Sequence, residues 1–303
     1  MVVLLQLAVF AARVAAVQLT PESAVSPELA TELAGRAEFA PEAFARCGVS
    51  LGLGVLRALP GPPGAPARLL AAGTLFGGAV GPFRSVALLS EDSGRTWREV
   101  MTPVGGSAVS EVFTRGEEVW ALVAFEVEGP GPVEIVHSAD AGRTWATLAT
   151  VKKREPLGVV RGLEFTDAKN GRLMVDFTGM GTEPPYEVQV TEDGGKTWRV
   201  RDPAPRPANA VPAPALTADA FMLQWEGAWT GANTVSADAP VRATDGADWR
   251  LGPSAGVSLV IERRAPGRPA WRAVTRLPGS WSRTPAGKLV PCSGGRGKPV
   301  PGR

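Results

Sequence analysis

The stretch Val136-His137-Ser138-Ala139-Asp140-Ala141-Gly142-Arg143-Thr144-Trp145 decides the reading of this chain, because two near copies of its core flank it. One is Ser90-Glu91-Asp92-Ser93-Gly94-Arg95-Thr96-Trp97, and the other is Thr191-Glu192-Asp193-Gly194-Gly195-Lys196-Thr197-Trp198. All three obey Ser/Thr-x-Asp-x-Gly-x-Thr-Trp. A worn fourth copy ends at Trp249, where Gly246 and Trp249 keep register while Thr244 takes the acidic position and Asp245 has slipped by one. The tryptophans of the three full copies stand 48 and 53 residues apart (145 − 97 and 198 − 145). A period near 50 residues means one supersecondary unit per copy, stacked so that neighbours bury each other's apolar faces.

The residue types of the motif suit a turn between antiparallel strands. Gly94, Gly142 and Gly195 supply tolerance of positive φ. Asp92, Asp140 and Asp193 stand where a carboxylate accepts from turn amides and from the hydroxyls of Ser90, Ser138 and Thr191. Thr96, Thr144 and Thr197 open the outgoing strand, and the tryptophan after each is large enough to fill the gap between adjacent sheets, contributing about 2–3 kcal/mol when covered. These are structural roles.

The pattern resembles the Asp-box, or BNR, repeat of sialidases, sortilin-type receptors and photosystem II assembly factor-like proteins. That resemblance implies an all-β fold, a β-propeller, with the boxes on the rim away from the binding face. The phrase Gly162-Leu163-Glu164-Phe165-Thr166-Asp167-Ala168-Lys169-Asn170-Gly171 is similar to the first strand and turn of the assembly factor-like repeats. Trp120, Met174 and Trp225 precede their box tryptophans by nearly equal distances, which places them at one inner-strand position in successive blades. The expected architecture is about five to six four-stranded blades over 48–292, preceded by a short helical segment over 21–47. Ser26-Pro27-Glu28 opens that helix as cap, first-turn proline and early acid. Asp202 to Pro214, rich in proline, reads as an extended loop, and residues 293–303 read as a disordered basic tail.

Val2 to Ala12 is apolar apart from Gln6, and small residues Ala15-Ala16 precede Val17. The run is too short for a membrane span of about 20 residues. It reads as part of a signal peptide over 1–20 or as an apolar helix, which favours export to a periplasmic or extracellular location over a cytoplasmic one. Two cysteines lie at the two ends of the repeat region. If the ring brings its ends together, Cys47 and Cys292 meet in a disulfide; two unrelated thiols is the alternative.

With 32 basic and 30 acidic residues the net charge is +2, which gives no footprint for nucleic acid. One histidine and two distant cysteines offer no metal-ligand spacing, and Gly52-Leu53-Gly54 lacks the third glycine of a dinucleotide turn, so neither metal nor cofactor is expected. A sialidase-like site needs a tyrosine nucleophile, acidic partners and three arginines that clamp a carboxylate. Tyr186 is the one tyrosine, and Phe83-Arg84-Ser85-Val86 matches only half of the motif that precedes the first box in sialidases. The function expected is therefore a non-catalytic binding or assembly scaffold for a protein partner. The partner is expected to bind through the channel face, where Arg115, Arg161 and Arg172, near the inner strands, are the candidate basic face, as the assembly factor-like resemblance implies. A sialidase-like hydrolase or a secreted glycan-binding protein is the alternative.

Overall fold

The computed structural model describes residues 17–19, 47–77, 82–101, 105–125, 132–151, 158–177, 186–201, 239–255, 258–284 and 288–292. Among these the regular structure is all strand. The helix expected over 21–47 and the tail from 293 lie outside the described residues, as do the loop from 202 to 214 and Trp225.

Among the described residues four antiparallel sheets follow one another along the chain. The first is a meander of β2 (Val49–Leu59), β3 (Arg68–Gly77), β4 (Pro82–Ser90) and β5 (Trp97–Glu99), with the short β1 (Val17–Gln18) added parallel to β5. The second is β6 (Ser107–Arg115), β7 (Glu118–Phe125), β8 (Val133–Ser138) and β9 (Ala146–Val151). The third is β10 (Val159–Phe165), β11 (Gly171–Asp176), β12 (Tyr186–Thr191) and β13 (Arg199–Val200). The fourth is β14 (Val241–Arg242), β15 (Asp248–Ala255), β16 (Ser258–Arg264) and β17 (Arg272–Pro278). Finally, β18 (Ser280–Arg283) and β19 (Leu289–Pro291) return to the first sheet, where β18 pairs with the start of β2.

The second strand of each sheet explains how the sheets stack. Successive side chains of a strand point to opposite faces, and a strand covered on both faces reads as an unbroken apolar run. Along β3, Leu69 and Ala71 join a core with Trp249, Ile261 and Leu277 of the fourth sheet, while Leu70 and Ala72 join one with Val109, Val119 and Ala121 of the second. Along β7, Val119, Ala121 and Val123 face that same core, whereas Trp120 and Leu122 meet Leu163, Phe165 and Leu173 of the third sheet. The order of packing is thus fourth, first, second, third. The last sheet in the chain lies against the first.

That contact corrects the reading of the fourth repeat. Residues 243–247 form a tight hairpin between β14 and β15, in which the Gly246 N–H donates to Ala243 O and the Ala247 N–H to Asp245 Oδ1. No carboxylate there takes the place of Asp140, so Gly246 and Trp249 do not belong to a box. Trp249 instead sits on the second strand of its sheet, fully buried, with its ring against Gly94 of the first sheet's turn. It fills the place that Trp120 fills against the third sheet. The turn between β16 and β17, around Gly267 and leading to Trp271, occupies the box position without the acidic chemistry.

The chain ends are fastened at one point. Cys47, just before β2, is bonded to Cys292, just after β19, with an S–S distance of 2.01 Å, and the Cys292 N–H donates to Ser280 O. The link closes a separation of 245 residues. Replacing both cysteines by serine should therefore lower the unfolding free energy by on the order of 5 kcal/mol by loop-closure entropy. An unchanged urea midpoint in the double variant would show that the closure does not depend on the bond.

A second expectation concerns Gly94. An added Cβ would lie 3.2 Å from Trp249 Cζ3 at a φ of +76°, whereas Gly64, at +78°, has nothing within 4 Å. Both substitutions to alanine carry the strain of the left-handed region, about 1–2 kcal/mol. Only Gly94→Ala should lose more, because the fourth sheet must move; equal losses in thermal unfolding would contradict the contact.

Candidate functional site

The three box turns share one bonding scheme. In the second sheet, the Ser138 hydroxyl donates to Asp140 Oδ1 at 2.7 Å and accepts from the Gly142 N–H at 2.8 Å. Asp140 Oδ1 also accepts from the N–H groups of Arg143 and Thr144, at 3.0 and 2.9 Å, and Oδ2 accepts from the Thr144 hydroxyl at 2.7 Å. The Trp145 indole N–H then donates to Gly142 O at 3.0 Å. Ser90, Asp92, Gly94, Thr96 and Trp97 repeat the scheme in the first sheet. Thr191, Asp193, Gly195, Thr197 and Trp198 repeat it in the third. The aspartate carboxylates and the Ser/Thr hydroxyls of the motif are thus used within their own turns.

The residue before each box glycine also has positive φ: 59° at Ser93, 55° at Ala141 and 80° at Gly194. A non-glycine residue there is uncommon. Its N–H donates to a carbonyl of the first hairpin turn of the same sheet, Ser93 to Ala67 O, Ala141 to Glu117 O and Gly194 to Lys169 O. Each box is therefore tied to the turn between its sheet's first two strands, and the two turns form one end of the sheet. Neighbouring ends are joined as well. Arg143 of the second box donates to Glu91 of the first through Nε at 3.0 Å and Nη2 at 2.7 Å, and the Trp120 indole N–H donates to Gly194 O at 3.1 Å.

The first strands of the first three sheets carry a second set of links, which sequence reasoning missed. Each has a β-bulge: between Leu53 and Val55, between Val109 and Glu111, and between Arg161 and Glu164. A bulge re-aims side chains and frees backbone groups from the ladder. At the third bulge the N–H groups of Gly162 and Leu163 donate to the two carboxylate oxygens of Glu111, at 2.8 and 3.0 Å. At the first, Arg57 reaches across to donate from Nε to Val112 O at 3.0 Å. Burial pulls the Arg57 pKa below its usual value, and the nearby Glu111 offsets part of that. Opposite the first bulge, a Cβ on Gly73 would lie 2.0 Å from Gly52 O, so the position admits no side chain.

The three candidate arginines fall in different surroundings. Arg115 is exposed at the end of β6, close enough to Asp167 of the third sheet to help lower that carboxyl's pKa. The larger causes there are the Asn170 side chain and the N–H groups of Asn170 and Lys169, and together they hold Asp167 at about 2. Arg172 is half-buried and bonded to Glu164 through Nη2 at 3.1 Å. Arg161 pairs with Met174 through the backbone at the bulge. Arg115 and Arg172 thus each face a carboxylate, and they do not make a uniformly basic patch. A different arginine, Arg68, has only 7% of its surface exposed and lies 3.7 Å from both Glu91 and Glu117, where the first and second sheets meet.

Arg84 and Tyr186, which a sialidase-like reading singles out, and the one histidine are committed elsewhere. Arg84 is fully buried and ion-paired with Glu99, so it is closed to a substrate carboxylate. Tyr186 is 4% exposed, opposite Asp176 on the β11–β12 ladder. His137 is bonded to Glu118 and lies with its ring 5.0 Å from that of Trp120. Among the described residues no group of three His, Cys, Asp or Glu side chains is placed to hold a metal ion, and no helix is long and apolar enough to cross a membrane.

No family model and no curated protein matches the sequence. Among solved structures, the chain is similar to YCF48 bound to a D1 peptide, with 15% identity and a TM-score of 0.30 over 79% of this chain and 63% of that one. It is similar to a NanB sialidase from Streptococcus pneumoniae, with 17% identity and a TM-score of 0.28 over 44% of this chain and 20% of that one. An α-L-arabinanase from Penicillium chrysogenum complexed with arabinobiose gives 16% identity and a TM-score of 0.34, over 80% of this chain and 72% of that one. The chain therefore spans less than two thirds of the first two. At this level the likenesses do not choose among activities.

The turn chemistry has a pH signature. The Thr197 hydroxyl, followed by the Thr197 N–H, the Thr191 hydroxyl and the Lys196 N–H, holds the Asp193 carboxyl at about 2. Asp140 is also brought to about 2: desolvation raises it, but the bonds from Thr144, Ser138 and Arg143 outweigh that. Because folding lowers these pKa values, the stabilisation is complete above the ordinary aspartate value of about 3.9 and is lost as pH falls toward 2. Replacing Asp193 by asparagine should flatten the loss of stability between about pH 4.5 and 2.5 relative to wild type. Parallel profiles in urea unfolding would show that this carboxylate is not linked to folding.

Proposed function

We propose that the chain is a non-catalytic binding scaffold, built as a β-propeller of Asp-box type, exported to an oxidising compartment, and acting on a protein partner. The single observation that carries this reading is how fully the fold uses its own chemistry. The aspartates, hydroxyls and amides of the three boxes bond to one another. Arg84 and Glu99 neutralise each other in the core. What remains for a partner is rigid surface. The propeller reading is supported by sheets that stack in a fixed order, with the fourth against the first, and by the disulfide joining the chain ends. About five to six blades is the count the repeat period favours. Export is supported by the disulfide, since such bonds persist in oxidising compartments.

The surface proposed for the partner is the end of the sheets formed by the first hairpin turns and the boxes, because the candidate Arg115 is exposed there, whereas the Asp-box resemblance implies a binding face away from the boxes. Each box there is held by at least five hydrogen bonds within the turn, so little ordering is needed on binding. Charge on this end is mixed. Arg115, Lys169 and Lys196 are exposed beside Asp167 and Glu117, which suits recognition of a protein surface of mixed charge more than a polyanion.

The test is crosslinking and affinity purification of the full chain from the envelope fraction, comparing wild type with Arg115→Glu. The expected result is a reproducible protein partner whose recovery falls at least about tenfold in the variant. Equal recovery would remove Arg115 from the interface. Turnover of a fluorogenic sialoside without any retained protein would overturn the scaffold reading altogether.

A further inference from the structure

The first sheet shows how an extended segment seats against a box tryptophan. Val17 and Gln18 form β1, which pairs in parallel with Trp97 and Arg98 of β5, the outer strand of the meander. Val17 and Leu19 turn inward, each 6% exposed, and join Trp97 in the core shared with the fourth sheet, while Gln18 faces solvent. An apolar–polar–apolar tripeptide is thus held by backbone pairing and by burial of its first and third side chains.

The box repeats, and the seat repeats with it. Trp97 and Trp145 make the same indole bond, to Gly94 O at 3.1 Å and to Gly142 O at 3.0 Å, and each leads into the fourth strand of its sheet. Beside Trp97 lies β1, and Trp97 is 2% exposed. Among the described residues β9 is the outer strand of the second sheet with no strand beyond it. Trp145 is only half-buried there, and like Val100 it packs against the core of the first and second sheets.

β9 also lacks the features that blunt an edge. Charged residues, proline and very short length keep edge strands from pairing with other chains. β13 is two residues long and carries Arg199 in an ion pair with Glu192, while β17 presents exposed Arg272 and Arg276 and ends at Pro278. β9 reads Ala146-Thr147-Leu148-Ala149-Thr150-Val151, with neither charge nor proline. Ala146 and Thr147, which correspond to Arg98 and Glu99, pair regularly with His137 and Val136 ahead of the strand's bulge.

We propose that the outer edge of β9, beginning at Trp145, is a docking site for an extended segment of the protein partner, which adds to the second sheet as a further parallel strand. The segment reads apolar–polar–apolar. Its first and third side chains lie against Trp145 and the core behind it, and its second faces solvent, as in Val17-Gln18-Leu19. Main-chain bonds supply the affinity, and the two buried side chains select the sequence. β9 leaves the second box, so the site adjoins the end of the sheets already proposed for the partner. This inference rests on the scaffold reading above and names its binding mode.

The experiment is an NMR titration of the isotope-labelled full chain with the blocked peptide acetyl-Ala-Val-Gln-Leu-Thr-amide, whose sequence is that of residues 16–20. The expected result is a set of shifts confined to the amides of Ala146–Val151 and the indole N–H of Trp145. The same peptide methylated on its backbone nitrogens should bind at least about tenfold more weakly, because it cannot pair with the strand. Equal binding of the two peptides would overturn the strand pairing. Shifts limited to Trp97 and Arg98 would mean that the peptide merely displaces β1, and that result, or no shift at all, would overturn the site. Protection of the β9 amides that grows with protein concentration in the absence of peptide would give the edge to a second copy of the chain and overturn the proposal as well. None of these outcomes depends on recovery of a partner from the envelope fraction, so the scaffold reading stands or falls separately.

Discussion

A carboxylate that accepts from the two amides and the hydroxyl following its own turn is the interaction on which the rest of this structure depends. Asp92, Asp140 and Asp193 each hold a short loop in which two consecutive residues have positive φ. Such a loop is unfavourable for ordinary residues, and about 1–2 kcal/mol per residue is needed to keep a non-glycine side chain there. The aspartate bonds, and the carbonyl of the first hairpin turn that takes the N–H of Ser93 or Ala141, offset that cost. The consequence reaches beyond the loop. With its glycine exposed as bare backbone, the turn approaches the second strand of the preceding sheet closely, at Leu70 for Gly142 and at Trp249 for Gly94.

From that contact the order of the sheets follows. β3 and β7, the second strands that meet a neighbouring sheet on each side, are accordingly apolar on both faces. Trp120 shows the arrangement most fully: its ring stacks on Phe165 at 4.0 Å, and its N–H satisfies Gly194 O. Trp249 makes the corresponding approach to Gly94, where the Thr275 hydroxyl donates to the glycine carbonyl instead. On the first strands the bulges do different work. At the third sheet the bulge releases backbone N–H groups to Glu111, and Arg57, on β2 beyond the first bulge, reaches Val112 of the second sheet, so three sheets are tied by polar bonds where no tryptophan reaches.

How much of this was legible in the sequence depends on the distance between bonding partners. In the boxes every donor to the aspartate or to the Ser/Thr hydroxyl lies within four residues of its acceptor, so Ser138, Asp140 and Thr144 announce their turn by spacing alone. Trp249 misleads for the same reason. Gly246 three residues before a tryptophan imitates the box, yet among the described residues Asp245 bonds to the Ala247 amide and to Arg263. The decisive fact, that β15 pairs on both sides, is set by residues far along the chain. Glu111 and Arg57 carried no local signal, because their partners stand about 50 residues away. For Arg172, its partner Glu164 lay only eight residues distant, but recognising the pair required knowing that β10 and β11 form a hairpin with a bulge.

The most direct test of the account is residue-resolved amide hydrogen exchange in the native state. The amides of Gly94, Thr96, Gly142, Thr144, Gly195 and Thr197 donate to side chains of their own turns. Although several lie at the surface, they should exchange slowly and together with the strand ladders, while the amides of Gly64 and Gly267, in exposed turns without an aspartate network, exchange far faster. If the six box amides exchange as quickly as an open turn, the carboxylate networks do not hold these loops, and the stacking order argued from them loses its cause.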